Sequence, residues 1–538
     1  MLFVFVFFLS SQTMKTTWKR TLLIVAAVGA AAIVAQGGDF RVSLEHKVKH
    51  GQVIVDSAGR VRLFHGVNAV YKVPPYVPVR TGWDTETMLS EKDAADLAAW
   101  GFNVVRLGVM WPGLMPERGA VDETYLAAVH EIVATLHAHG IAVLLDLHQD
   151  LGGRMLCGEG FPDWAVLPGA AKHAFPWPVF RRPFAKDAQG YPKLEECLQK
   201  SFATYYLTEA VGAAFQALYD NTEGVRDAFV AFWARVAESF RDTPGVLGYE
   251  LLNEPFAGDV WHHPGLLLPG HADRQNLYPL YMAAAEGVRA HDNTTLIFYE
   301  KAIVNALGPL GFPTVPGGAA YRDRSVYSWH NYCGTVDRSG NPRSFAVCEG
   351  EQEVQWLQEM HDIDASRCGS FLTEFGAVAG NNSKSLRDLE WVVDSADRAL
   401  QSWAYWQYKS YHDITTASNE RESFYWADGT LQADKVDVLS RVYAQAIEGV
   451  PTAMRYDRAH RTFRLDYSAR RVPTTDGSLA TDIYVGPWTV RQQRQLRVDV
   501  VPSGAASWAL SSDSLTLHVK LAPSIPDGTP ISITVSAV

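Results

Sequence analysis

From about Val61 onward, short apolar, β-branched runs alternate with amphipathic helical stretches, which confines the chain to repeated βα units around a parallel sheet. The runs are Arg62–Val67, Asn103–Leu107, Ala142–Leu147, Leu247–Leu252, Thr295–Tyr299, Ser325–Trp329, Ser370–Thr373 and Trp403–Trp406. Between them, Tyr125–His139, Val225–Arg241, Tyr278–His291, Glu353–Asp362, Ser385–Gln401 and Lys435–Ile447 place apolar residues three or four apart, with charges opposite. Eight strands separated by helices is the count of a (β/α)8 TIM barrel. The stretch from Leu151 to about Gly224 exceeds an ordinary connection and is expected to carry a functional insertion. After Gly449 the helical pattern stops. Short alternating segments at Arg461–Tyr467, Asp482–Val485, Gln495–Val500 and Leu515–Leu521, spaced by Gly, Pro and Ser, predict a small β-sandwich. The expected organisation is a leader over 1–36, a catalytic barrel over 45–448 and a β-sandwich over 449–538.

The 538 residues suffice for a barrel with insertions plus a smaller domain. A net charge of -11 argues against a nucleic-acid surface, which needs clustered Lys and Arg. Lys15, Lys19 and Arg20 precede an apolar or small stretch from Leu22 to Ala35, short for a membrane span and right for a signal-peptide core. Secretion is the expectation, with Met14 a possible working start and an uncleaved signal anchor the alternative. Of the five cysteines, Cys157 with Cys197 and Cys333 with Cys348 would each close one loop, and none has metal-ligand spacing. The sequons at Asn293 and Asn381 permit glycosylation in a source that glycosylates proteins.

Polar residues gather where the strands end. Arg106 follows strand two, His148 and Asp150 strand three, Asn253 and Glu254 strand four, His330 and Tyr332 strand six, Glu374 strand seven and Trp406 strand eight. Cleaving an acetal needs one carboxylic acid to protonate the leaving oxygen and a second carboxylate at the anomeric carbon. Glu254 and Glu374 supply that pair. Arg106 is expected to keep Glu374 ionised, since a neighbouring cation lowers a carboxylate pKa, and Tyr332 to hydrogen-bond to it. Glu254 must hold a proton near neutral pH, which partial burial and the charge of Glu374 favour. Asn253 is placed for a sugar 2-hydroxyl and Trp406 for stacking under the ring. A metal-dependent barrel hydrolase would need a His-x-His after strand one, where only His65-Gly66-Val67 stands, so no metal and no cofactor is expected.

Asn253-Glu254-Pro255, Thr373-Glu374-Phe375-Gly376, Arg106 and His330-Asn331-Tyr332 resemble glycoside hydrolase family 5, of the retaining clan A. His65-Gly66-Val67-Asn68 with Tyr71-Lys72, Asp146–Asp150 and Trp403–Lys409 resemble the endoglycoceramidases within it. The resemblance runs from about Arg62 to Gly449 and implies Glu254 as acid/base and Glu374 as nucleophile. It implies Lys72, His148, Asp150, Asn253, Tyr332 and Trp406 as substrate-binding residues, with Arg106 and His330 supporting the nucleophile. Leu439–Tyr443 lacks the family's Pro-Tyr, and Leu151–Cys157 departs from its usual continuation; both bear on substrate subclass. The implied reaction is hydrolysis of the bond between oligosaccharide and ceramide in glycosphingolipids. A glucosylceramidase, a steryl-glucosidase and a cellulase-type endo-β-glucanase are the alternatives. Two apolar loops, Phe161–Phe180 and Trp261–Pro269, are expected to wall a lipid channel on the leaving-group side of Glu254 and to allow transient membrane contact, with Lys72, Asp150 and Trp406 on the glycan side. Nothing in the sequence speaks to oligomeric state.

Overall fold

A computed structural model describes residues 40–337, 340–416, 419–470 and 480–538. The expected leader, with Met14 and Leu22–Ala35, lies outside them. Among the described residues, no helix is long and apolar enough to cross a membrane.

The eight expected strands form a closed parallel barrel: β1 His65–Ala69, β2 Val104–Gly108, β3 Ala142–Asp146, β4 Val246–Glu250, β5 Leu296–Tyr299, β6 Ser325–Asn331, β7 Gly369–Phe375 and β8 Ser402–Tyr405. Closure comes from β8, which pairs in parallel with both β1 and β7. Strand side chains alternate between faces, so every second residue points into the barrel. That inward column starts apolar: Phe64, Val104, Leu144, Leu247, Phe298, Val326, Phe371 and Ala404 form one buried cluster, plugged by Val42 and Ile54 of an amino-terminal hairpin. Two to four residues further along, the column turns polar, giving Asn68, Arg106, Asp146, Glu250, Glu300 and Ser328, all buried. One amphipathic reversal inside the barrel thus separates a hydrophobic base from a chemical top.

Strand β7 breaks the alternation to advantage. Leu372 pairs with Trp329 while Glu374 pairs with His330, so Thr373 is an extra residue in the ladder. Such a slip re-aims the side chain that follows it. Thr373 and Glu374 both reach the interior, Thr373 bonding to Ser328 of the neighbouring β6 and Glu374 to Arg106 across the barrel, and Phe375 returns to the apolar shell.

Two expectations are corrected. The first strand begins at His65, because Val61–Arg62 pairs antiparallel with Gln52–Val55 and with Tyr443–Ile447. The helix expected over Lys435–Ile447 ends at Leu439, and Tyr443–Ile447 is a strand. Its apolar spacing suits either period, and pairing on both edges decides for the strand. The carboxy-terminal part packs two antiparallel sheets on one core: Tyr443–Ile447, Thr481–Tyr484, Thr516–Leu521 and Ala506–Leu510 form one, and Gly449–Asp457, Thr462–Ala469, Pro530–Ala537 and Leu496–Val501 the other. Val55, Val61 and Leu63 enter that same core from the barrel's hairpin.

Candidate active site

Arg106 organises the top of the barrel. Its Nη1 donates to Glu374 Oε1 at 2.5 Å and to Asn68 at 3.0 Å, Nε to Glu250 at 2.5 Å, and Nη2 to Asn253 Oδ1 at 2.8 Å, while Asp146 Oδ1 is an ion-pair partner of Nη2 at 3.1 Å. The guanidinium is fully buried, so this set of acceptors replaces its hydration. Glu374 is also held from the other side, by the Tyr332 hydroxyl at 2.9 Å on Oε2. Burial pushes the Glu374 carboxyl above its ordinary value, and the His330 and Arg106 cations work against the rise. Contact with Arg106 is as expected; the net direction is not, because desolvation outweighs it.

Glu254 sits just past β4, its backbone in the left-handed region at φ 40°. Its carbonyl accepts from Gln149 Nε2 at 2.9 Å and its N–H donates to Glu300 at 3.2 Å. Glu254 Oε1 lies 2.8 Å from His330 Nδ1, whereas His330 is 3.6 Å from Glu374. His330, expected beside the nucleophile, therefore serves the other carboxyl more directly. One oxygen of Glu254, one of Glu374 and a ring nitrogen of His330 all fall within 4.8 Å of one another.

His148 is pinned by Asp146 at 2.8 Å, stacks on Trp406 at 4.9 Å and lies 3.2 Å from Asn253 Nδ2. Burial would lower its pKa, but Asp146 and Asp150 reverse this and raise it to about 9. Lys72 is buried behind Trp406, its ammonium 5.1 Å from the ring centroid. It contacts Asp150 at 2.7 Å, Asp413 at 2.8 Å and Thr415 at 2.8 Å. Burial would raise Asp150, yet Lys72 and His148 bring it to about 2.

Two cavities of about 200 Å³ each share Glu254 and Tyr332 as walls. The first adds Glu374, Asn253, His148, Asp150 and Trp406, with Phe202, Ala203 and Val378. The second runs toward the segments after β5 and β6, past Ile303, Ala306 and Trp329. Neither expected loop lines them. Trp177 packs against Trp261 at 5.0 Å, and Phe161 borders a separate cavity beside Lys72. Phe161–Phe180 and Trp261–Pro269, expected to wall a lipid channel, thus border neither cavity beside Glu254. Both expected disulfides are present, and Cys368 is a buried thiol.

Sequence reasoning missed Glu300, Asp413, Thr415 and Phe202. Glu300 carries a usable signal, since it ends the run Leu296–Tyr299 as Glu254 follows Leu251-Leu252. The others lie on long connections with no periodic mark.

Residues 67–412 match the model of cellulase (glycosyl hydrolase family 5), and residues 441–535 match the glycoside hydrolase family 5 C-terminal domain. An endoglycoceramidase of Cyanea nozakii is 38% identical over 463 residues, covering 85% of this chain and 87% of that protein. One of Hydra vulgaris is 39% identical over 423 residues, covering 77% and 76%. The fold is shared with endo-glycoceramidase II from Rhodococcus sp., solved as a ganglioside GM3 complex, at a TM-score of 0.70 and 21% identity over 90% of this chain and 99% of that one. The chain belongs to glycoside hydrolase family 5, and within it is of the endoglycoceramidase type.

Proposed function

We propose that this protein releases the intact glycan from glycosphingolipids by double displacement. Glu374 attacks the anomeric carbon while Glu254 gives its proton to the ceramide oxygen; Glu254 then takes a proton from water, whose oxygen displaces Glu374. The observation that carries the reading is the proximity of the two carboxyl groups, within 4.8 Å oxygen to oxygen. A retaining pair stands about 5–5.5 Å apart, whereas an inverting pair leaves room for water at about 6.5–9.5 Å. The cavity of His148, Asp150, Asn253 and Trp406 takes the sugar, with Lys72 ordering Asp150 from behind. The cavity past Ile303 and Ala306 takes the aglycone; Ala302, Ile303 and Ala306 give it aliphatic surface beside the rings of Trp329 and Tyr332. The relatives of Cyanea and Hydra support ceramide as that aglycone.

Membrane contact fits the same face. Leu267, Leu268 and Leu307 are each more than half exposed. They sit on adjoining segments, since Gly270 N–H donates to Asn305 at 3.1 Å. Exposed apolar surface beside a lipid channel is suited to a bilayer. Secretion accords with two disulfides, which persist in oxidising compartments. Sequencing the amino terminus of protein recovered from medium should find the chain starting after about Ala35.

Product analysis on a ganglioside, on lactosylceramide and on a soluble cello-oligosaccharide tests the activity. Free oligosaccharide plus ceramide from the first two is the expected result. Release of single glucose units, or turnover of the cello-oligosaccharide alone, would replace it with the glucosidase or glucanase reading.

A further inference from the structure

We infer that Glu300, at the end of β5, is a positioning residue for the proton-donating carboxyl: acting through His330, it fixes which oxygen of Glu254 carries the proton. The inference rests on the reading of Glu254 as acid/base. Glu300 is buried and holds the Glu254 unit at two points. Its Oε2 accepts the Glu254 main-chain N–H at 3.2 Å, and its Oε1 lies 3.2 Å from His330 Nε2. His330 Nδ1 in turn lies 2.8 Å from Glu254 Oε1. Glu300 Oε1 and His330 Nε2 meet as an ion pair, not as an in-line hydrogen bond, and neither atom has a hydrogen-bond partner among the described residues.

Counting protons gives the consequence. For His330 to donate from Nδ1, its Nε2 must either carry a second proton facing a Glu300 carboxylate or accept one from a Glu300 carboxylic acid. Either way one proton lies between the two groups and the pair has no net charge. Glu254 Oε1 is then committed as an acceptor, and the transferable proton is confined to Oε2. When that proton leaves, the new carboxylate already has an N–H donor in place. The surrounding charges are Glu374 from β7, 3.6 Å from His330, Arg106 from β2, 3.9 Å from Glu300, and Glu250 from β4. Burial pushes Glu300 up to about 8 against the pull of His330, so either partner can hold the shared proton. The main-chain contact has its own use, because Glu254 occupies a left-handed backbone conformation that needs fixed partners.

The test compares kcat/KM for a ceramide-linked glycan, whose leaving group needs a proton, with that for a dinitrophenyl glycoside of the same glycan, whose leaving group does not. Glu300→Ala should lose about 100-fold on the first, the scale of general acid catalysis, and only a few-fold on the second. Glu300→Gln, which can still accept the N–H and face Nε2, should recover most of the loss. In a His330→Asn background, Glu300→Ala should add little. Equal losses on both substrates, no recovery in Glu300→Gln, or full additivity with His330→Asn would each overturn the inference. Glu254→Ala serves as the reference: equal losses there on both substrates would overturn the acid/base reading itself. A split for Glu254→Ala without one for Glu300→Ala removes only the role of Glu300.

Discussion

Tyr332 donates its hydroxyl to Glu374 at 2.9 Å, and the next residue, Cys333, is tied to Cys348, so a covalent tether fixes the group that orients the nucleophile. Tyr332→Phe should lower kcat/KM about 10- to 100-fold, the worth of one hydrogen bond to a charged group, with little change in Tm. Cys348→Ser opens a bridge of sequence separation 15, which chain entropy rates at about 3 kcal/mol. It should lower both Tm and kcat. Thermal melts beside initial rates separate the two effects; an unchanged Tm in Cys348→Ser would remove the tether from the argument.

On activated aryl glycosides, Glu374→Gln should abolish turnover. Glu254→Ala should mainly slow deglycosylation and recover with azide, which attacks the glycosyl-enzyme without a base. Identical behaviour of the two variants in an azide titration would show the roles to be wrongly assigned.

Lys72 is a structural charge as much as a ligand-side one. Removing it leaves Asp413 buried without this cation and Asp150 with His148 alone, so Lys72→Met should cost about 3–5 kcal/mol of stability. Chemical denaturation measures this. A loss of activity at unchanged stability would instead mean that Lys72 meets the sugar itself.

Stability should carry a recognisable pH slope. His148 is raised to about 9 in the fold from 6.5 in the unfolded chain, so its contribution is full below pH 6.5 and lost as pH rises through about 9. Asp150 is depressed to about 2, so its contribution is present above pH 3.8 and lost as pH falls through 2. Tm measured from pH 6 to 10 should decline, and His148→Gln should flatten that decline. A profile identical in both proteins would assign the slope to other groups.

Replacing Leu267 and Leu268 by Ser should raise KM for ceramide-linked substrate in vesicles while leaving a soluble aryl glycoside within a few-fold. Leu266 is buried, unlike its two neighbours, and is left intact so that folding is not tested instead. A shift of equal size on both substrates would assign these leucines to structure.

The catalytic pair was legible in the sequence because a buried parallel strand writes its own end: the apolar run stops and the next inward residue must be polar or cap the barrel. Glu254, Arg106 and His148 follow that rule. Glu374 reaches the interior only through the extra residue Thr373, which depends on pairing with β6 and leaves no mark in β7 itself. The apolar loops Phe161–Phe180 and Trp261–Pro269 were equally visible, but apolar content does not say which neighbour a loop will choose. Here Trp177 and Trp261 chose each other. The helix expected through Ile447 failed for a related reason, as its second half is claimed by strands from distant sequence.

That last strand, Tyr443–Ile447, has a consequence for how the protein can be divided. Its two edges are bonded to Val61–Arg62 near one end of the chain and to Thr481–Tyr484 near the other. The β-rich part is therefore not a detachable accessory. Cutting the chain at Gly449 would strip one edge of the strand and bare Leu63 and Val442 to water. A swap between related enzymes should therefore carry the barrel and the sheets behind it together.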